Sequence, residues 1–400
     1  MKYLFIDYGA TNIKSCIFSP EENKFSNVRV VRCPVSREIY PRHVLAIKSL
    51  SEITEEIIRD AECDAILMSS QMHGFSTFDG KRVSDYISWM DERGEVLRIP
   101  DHKSLTGLTP RKGLPVFNIP SINRENKYKN LQILSLPSAI LKNIGVFENK
   151  VHNTISCGFG THHIGSQTLN TNISCAIGSN INFSETTSQI EIVGQVLCGN
   201  KQTPVFSPVG DLQCAILGSN LQSGHISINL GTGSQVSLIS NSINQSTDNR
   251  SFFDNNYLNT ITHIPSGRAI NSYINFMKSL GYKKDFWEII KNSSVQDILS
   301  STLDISLSIF GGNDGNIGGL REANMTCENF EMSIIKSYVL QYKKHVEKLD
   351  GHSIVLSGGI VKNCPIIADV FRECFDHLVI VNDTKIEETF LGLKELTKRI

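Results

Sequence analysis

The chain has 400 residues, 40% of them hydrophobic, and a formal net charge of -1 at pH 7. That length predicts two domains, and the ordinary composition excludes an extended disordered protein. The near-neutral balance excludes attachment to nucleic acid or a membrane through overall charge, so any anion site has to be local.

In chain order, residues 4–18 read as an apolar strand, a polar turn holding Gly9, and a second strand. A third strand is expected around Val28–Val31. Ile47, Leu50, Ile53 and Ile57 recur at helical spacing, which predicts an amphipathic helix within 44–60. Ala65–Met68 is a short apolar run feeding a polar loop and reads as a buried strand. Strand, strand, strand, helix, strand predicts an α/β layer with a crossover helix. Residues 99–135 look loop-dominated with short helices. Residues 160–205 show no helix and suit β-hairpins at a sheet edge. A second lobe is expected from residue 208, giving domains 1–207 and 208–400. Its elements are a helix over 212–221, a hairpin over 226–240, a surface loop over 241–250 and helices over 268–280 and 330–349. A strand over 353–356, a helix over 363–375, a strand over 378–381 and a helix over 387–397 complete it. The second lobe thus repeats the order of the first.

The repeat is sharpest at two turns. Asp7-Tyr8-Gly9-Ala10-Thr11-Asn12-Ile13-Lys14 joins the first pair of strands, and Asn229-Leu230-Gly231-Thr232-Gly233-Ser234 joins a later pair. Gly lets the backbone approach a ligand closely, and exposed turn N–H groups form an anion-binding concavity. Lys14 adds a cation for phosphate oxygens. Asp7, at a strand end, can hold Mg²⁺ through water, since that ion keeps much of its hydration and needs few protein ligands. Each turn alone is equally an ordinary hairpin bend.

Other segments carry polar groups at strand ends. In Ser69-Ser70-Gln71-Met72-His73-Gly74, Gln71 and His73 can hydrogen-bond sugar hydroxyls, or merely cap the backbone. In Ser88-Trp89-Met90-Asp91-Glu92-Arg93, the Trp89 ring suits a sugar's C–H face and Asp91 and Arg93 its hydroxyls. A buried Trp beside an Asp–Arg pair is the other reading. Gly210-Asp211 opens a helix, so Asp211 is either an N-cap or a general base kept ionised by the helix N-terminus. In Gly358-Gly359-Ile360-Val361-Lys362-Asn363, two glycines let a flat ring lie on the backbone and Asn363 bonds its edge, or they form a tight helix entry. His162-His163 lacks partners for a metal site, and the ten cysteines show no CxxC pair. No segment approaches the roughly 20 apolar residues of a bilayer span, and no signal-peptide pattern opens the chain. Reduced thiols in the cytoplasm are therefore expected.

Taken together and in order, IDYGATNIK, SSQMHGF, SWMDER, PVGDLQCAILG, INLGTGSQVS, LSGGIVKN and EETFLGL resemble the motifs of the FGGY carbohydrate kinases. Arg250-Ser251-Phe252-Phe253, Ser266-Gly267-Arg268-Ala269 and Phe310-Gly311-Gly312 resemble the sedoheptulokinase subgroup; xylulokinase and ribulokinase share some of these features. The resemblance implies two duplicated actin-like ATPase (ribonuclease H-like) lobes around a central cleft. It implies ATP- and Mg²⁺-dependent phosphorylation of a ketose, a heptulose or pentulose, at a terminal primary hydroxyl. By the same likeness Asp211 is the base and Asp7 lies near Mg²⁺. Gly9, Thr11, Lys14, Gly231, Thr232 and Gly233 meet phosphates, Gly358, Gly359 and Asn363 the nucleoside, and Gln71, Met72, His73, Trp89 and Asp91 the sugar. Asn12 belongs to the first phosphate turn and Arg93 to the sugar segment. Ala10 departs from the family's usual Thr, and Cys364-Pro365 from its small polar run. A small-molecule sugar is the implied partner, and a homodimer is an admissible assembly. A non-catalytic sugar or nucleotide sensor on the same fold is the alternative, and it would have no need of the base.

Overall fold

Strand Tyr3–Tyr8 pairs antiparallel with Asn12–Ser19, which pairs antiparallel with Lys24–Arg32. On its other side Tyr3–Tyr8 runs parallel to Ala65–Ser70, from Tyr3↔Ala65 to Tyr8↔Ser70. Parallel neighbours need a crossover, and helix Ile47–Arg59 supplies it by burying Ile47, Leu50, Thr54, Ile57 and Ile58 along one stripe. Both parallel strands are buried at every residue, as expected of a sheet covered on both faces. The hairpin Ile192–Cys198 and Lys201–Phe206 extends the sheet at its edge, as expected, while a helix at Thr171–Ile177 was hidden by its polar composition.

The computed structural model describes residues 1–126, 130–146, 150–178, 181–309 and 314–400. The expected subgroup segment Phe310-Gly311-Gly312 therefore lies outside the described residues. The chain forms two compact units: one of residues 1–220, 241–258 and 386–400, the other of 221–240 and 259–385. Each has its own apolar core.

The second unit repeats the first strand for strand. His225–Leu230 pairs antiparallel with Ser234–Ser240 and parallel with Ser353–Ser357, which runs parallel to Leu378–Val381. The order Tyr257–Ile264, Ser234–Ser240, His225–Leu230, Ser353–Ser357 reproduces Lys24–Arg32, Asn12–Ser19, Tyr3–Tyr8, Ala65–Ser70. The expected helix 363–375 is two helices, Gly359–Asn363 and Ile366–Cys374. Pro365 between them lacks an N–H and drives Cys364 out of helical geometry, to φ -139° and ψ 77°.

Two placements differ from the expected second lobe. Helix Asp211–Gly218 belongs to the first unit, where it packs on helix Glu388–Leu396. Residues 248–251 form a strand in the first unit with Asn249, Arg250 and Ser251 buried, in place of the end of a surface loop. A buried strand of polar residues shows no apolar alternation, so the pattern could not reveal it.

Candidate active site

Strand register assembles the first bend. Asp7 stands opposite Lys14 on one neighbour and Ser69 on the other, so the three side chains share one face. The Ser69 hydroxyl donates to Asp7 Oδ1 at 2.7 Å and Thr389 Oγ1 to Oδ2 at 3.3 Å. Lys14 Nζ lies 2.8 Å from Glu387. Gly9 N–H donates to the Asn12 carbonyl at 3.0 Å and closes the turn, leaving Thr11 at its exposed tip. Burial pushes the Asp7 carboxyl above its ordinary range, against the opposing pull of Ser69, Lys14 and Thr389.

Gln71 ties the next segment to that turn, with its N–H on the Tyr8 carbonyl at 2.9 Å and Nε2 on the Gly9 carbonyl at 3.2 Å. Its Oε1 is buried and has no partner among the described residues. Met72 packs against Gly210, the residue before Asp211. His73 has a left-handed backbone, φ 60°, and its Nδ1 meets the Gly158 carbonyl at 2.9 Å. A carbonyl only accepts, so Nδ1 carries the proton. Nε2 then accepts from Arg250 Nη2 at 3.4 Å. Phe75 and Ile87 exchange two backbone bonds. Counting outward from that bridge, His73 and Trp89 stand two residues beyond the same end, so the two predicted sugar segments are neighbours. Asp91 is fully buried, and its oxygens accept from Arg93 N, Nε and Nη2 and from His43 N, at 2.6–3.2 Å. Those four donors brace the turn beneath Trp89 and leave Asp91 little capacity for a sugar.

Asp211 is the first residue of its helix, with Gly210 as N-cap. Its Oδ1 accepts from the N–H of Leu212, at 2.8 Å. Its pKa is pushed up to about 7, first by burial and second by the charge of Asp7, against Leu212 N–H and Arg250. The helix N-terminus was expected to keep this carboxylate ionised; desolvation beside a second carboxylate outweighs it. Gly210 N–H is held by Thr154 Oγ1 at 3.0 Å, and Gln213 of the same helix bonds the Thr154 and Ser251 carbonyls. The fully buried Arg250 is therefore close to both His73 and Asp211. The sequence marked Arg250 only as part of a subgroup motif, not as a site residue.

In the second unit a cavity of about 500 Å³ is lined by Gly231, Thr232, Gly267, Asn271, Trp287, Lys291, Gly359, Ile360 and Asn363. Four of these were expected. Gly358 lies beside it with φ 99°, and a Cβ there would meet the Leu230 backbone. Gly233 is open, with nothing near the position a Cβ would take. Gly267 and Arg268 donate to the Gly231 and Thr232 carbonyls at 3.0 and 2.9 Å, tying a helix start to the turn. Asn271, Trp287 and Lys291 were not anticipated; Trp287 and Lys291 sit four residues apart on helix Phe286–Asn292, the only sequence cue that they share a face. Asn229, opposite Ser357, takes the register place that Asp7 has opposite Ser69, and its amide donates to Ser357 at 3.3 Å.

The hairpin-plus-parallel-strand repeat, with one glycine turn in each copy, is a two-domain α/β fold that solved carbohydrate-kinase structures share. No family model matches the chain and no curated protein does. Solved structures do. The ligand-bound xylulose kinase from Lactobacillus acidophilus aligns with TM-score 0.84 at 14% identity, over 99% of this chain and 89% of that one. The gluconate kinase from the same organism gives 0.83 at 14%, over 99% and 88%. Plasmodium falciparum glycerol kinase with ADP gives 0.81 at 13%, over 98% and 88%. Among the described residues no helix is long and apolar enough to cross a membrane, and no three His, Cys, Asp or Glu side chains form a metal cluster.

Proposed function

We propose that the protein transfers the γ-phosphoryl group of ATP to a hydroxyl of a ketose, a heptulose such as sedoheptulose or a pentulose, and acts in the cytoplasm. The observation that carries this reading is the Asp211 carboxyl at the start of its helix, close to Asp7 and Arg250, with His73 bonded to Arg250. A base has to accept a proton near neutrality, and burial beside the Asp7 charge raises this carboxyl toward that range. Asp211 removes the proton of the substrate hydroxyl as its oxygen attacks phosphorus and ADP leaves. The unpartnered Gln71 Oε1 accepts from a second sugar hydroxyl, and Trp89 and His73 border the ring. The nucleoside end of ATP lies in the cavity beside Gly359 and Asn363, against Trp287. The turns at Gly9 and at Gly231 each offer backbone N–H groups suited to phosphate oxygens. Asp7 would hold, through water, the Mg²⁺ that arrives with the nucleotide; a buried carboxylate with hydroxyl neighbours suits such an ion. Coupled measurement of ADP release over a ketose panel tests the reading. Sugar-stimulated release supports it, whereas sugar binding by calorimetry with no release from any member would leave a sensor.

Two further outcomes are expected. Between pH 5 and pH 7, kcat/KM rises about tenfold per unit and levels off above 7, because only ionised Asp211 accepts the proton. Cancelling the neighbouring charge with Asp7→Asn moves that limb to lower pH, which a pH–rate profile reads directly. Trp287→Ala raises KM for ATP on the order of tenfold with kcat little changed, since stacking on an aromatic ring is worth roughly 1–3 kcal/mol per base; an unchanged KM would remove Trp287 from the nucleotide site.

A further inference from the structure

Arg111 is the unexplained group in the first unit. It lies in the loop between helix His102–Thr106 and helix Pro115–Asn126. That loop is tied down at both ends. The Gly107 carbonyl accepts from Asn249 N–H at 2.7 Å, and Thr109 donates through N and Oγ1 to Asp248 Oδ1 at 2.9 and 2.7 Å. At the other end Gly113 packs on the Trp89 carbonyl, with no room for a Cβ. Arg111 is therefore fixed between the strand that carries Arg250 and the turn that carries Trp89. Its Nε is buried and has no hydrogen-bond partner among the described residues, and none of their carboxylates comes within ion-pair distance of its guanidinium. Burial and the charge of Arg250 push its pKa down to about 10, against the pull of Asp248. Asp248 Oδ2, 3.9 Å from Arg250 Nη2, is one carboxylate beside two guanidinium groups, so the pair keeps a surplus positive charge that a bound anion would balance. The planar guanidinium fork matches a carboxylate or a phosphate through two parallel N–H···O bonds.

We propose that Arg111, with Arg250, forms an oxyanion-holding corner of the sugar pocket, so that the sugar phosphorylated by this protein carries a carboxylate or phosphate group besides the hydroxyl that is phosphorylated. The proposal rests on the kinase reading above and narrows it from ketoses in general to acidic ones. His73, held between Gly158 and Arg250, transmits the position of that corner to the hydroxyl-binding side.

Sugars matched except for one group test it. D-fructose, 2-keto-D-gluconate and D-fructose 1-phosphate share a carbon skeleton and differ only in what C1 carries: a hydroxyl, a carboxylate or a phosphate. D-sorbitol and D-gluconate form a second neutral–acid pair. Wild type, Arg111→Met and Arg111→Lys are compared by ADP release and by calorimetric binding without ATP. In wild type the anionic member is expected to win by about 10- to 100-fold, the range of a charge-assisted hydrogen bond. Arg111→Met abolishes that preference, and Arg111→Lys, a point charge without the fork, restores part of it. Whichever anionic arm wins identifies carboxylate or phosphate. Because Arg111 donates no hydrogen bond to the described residues, its replacement leaves the fold intact, which the circular-dichroism melt checks. Equal behaviour of wild type and Arg111→Met toward every pair, absence of binding included, overturns the inference. Arg111-dependent anion binding with no ADP release from any sugar overturns the kinase reading and leaves the anion corner standing.

Discussion

Asp211→Ala lowers kcat by two to four orders of magnitude, the usual contribution of a positioned general base, and leaves KM for ATP nearly unchanged. Among the described residues the carboxylate bonds backbone N–H groups at the start of its own helix, so its loss does not dismantle the site. The isosteric Asp211→Asn separates chemistry from folding. The folded-state pKa, about 7, lies above the ordinary carboxyl value of 3.8. Between those values the folded protein binds more protons than the unfolded chain, so stability falls as pH rises from about 4 to 7. Above pH 7 the ionised group costs at most about 4 kcal/mol. The Asn variant, uncharged throughout, is accordingly more stable than wild type at pH 8 and no more stable at pH 4. Thermal melts at the two pH values read this difference, and kcat reads the chemistry. A folded Asp211→Ala protein with near-normal turnover would take the base assignment away.

The turns were legible in the sequence because both constraints on them are local. Gly9 and Gly231 mark hairpin bends between apolar runs, and a short hairpin turn sets the register of the two strands it joins. The hairpin places Asp7 beside Lys14, whereas Ser69 beside Asp7 and Ser357 beside Asn229 come from parallel pairing with distant strands. The duplication was visible for the same reason. What could not be read was the return of distant segments. Thr389 reaches Asp7 from 382 residues away, and Arg250 reaches His73 from 177. Neither lies in a periodic pattern that sequence reasoning could pair. Arg111 was hidden in a stretch, 99–135, read only as loop with short helices. Asp91 shows the converse. Its residue type suited a sugar ligand, yet a bidentate Arg93 two residues away and the His43 backbone use both its oxygens. Helix Asp211–Gly218 lies in the first unit, a placement its short sequence does not announce. A short apolar helix carries no sign of which sheet it covers, and its partner is the last helix of the chain.

Gly392→Ala is expected to destabilise the protein by about 3 kcal/mol or more and to reduce turnover with it. Helices Asp211–Gly218 and Glu388–Leu396 approach so closely that a Cβ at Gly392 would overlap the Cys214 carbonyl, and one at Gly218 the Glu388 carbonyl. Backbone cannot rotate away as a side-chain tip can, so the helices have to separate. Overpacking of this kind costs typically 1–3 kcal/mol, more when the obstacle is rigid. The separation has a chemical consequence, because the two helices carry opposite halves of the site: Asp211 opens one, and Thr389, bonded to Asp7, lies in the first turn of the other. Gly218→Ala pushes on the same gap, so the double variant should cost less than the sum of the two single changes. Denaturant melts of the four proteins measure that coupling. Additive costs would mean that the two glycines serve separate contacts and that the helix pair is not the hinge on which the Asp7–Asp211 geometry depends.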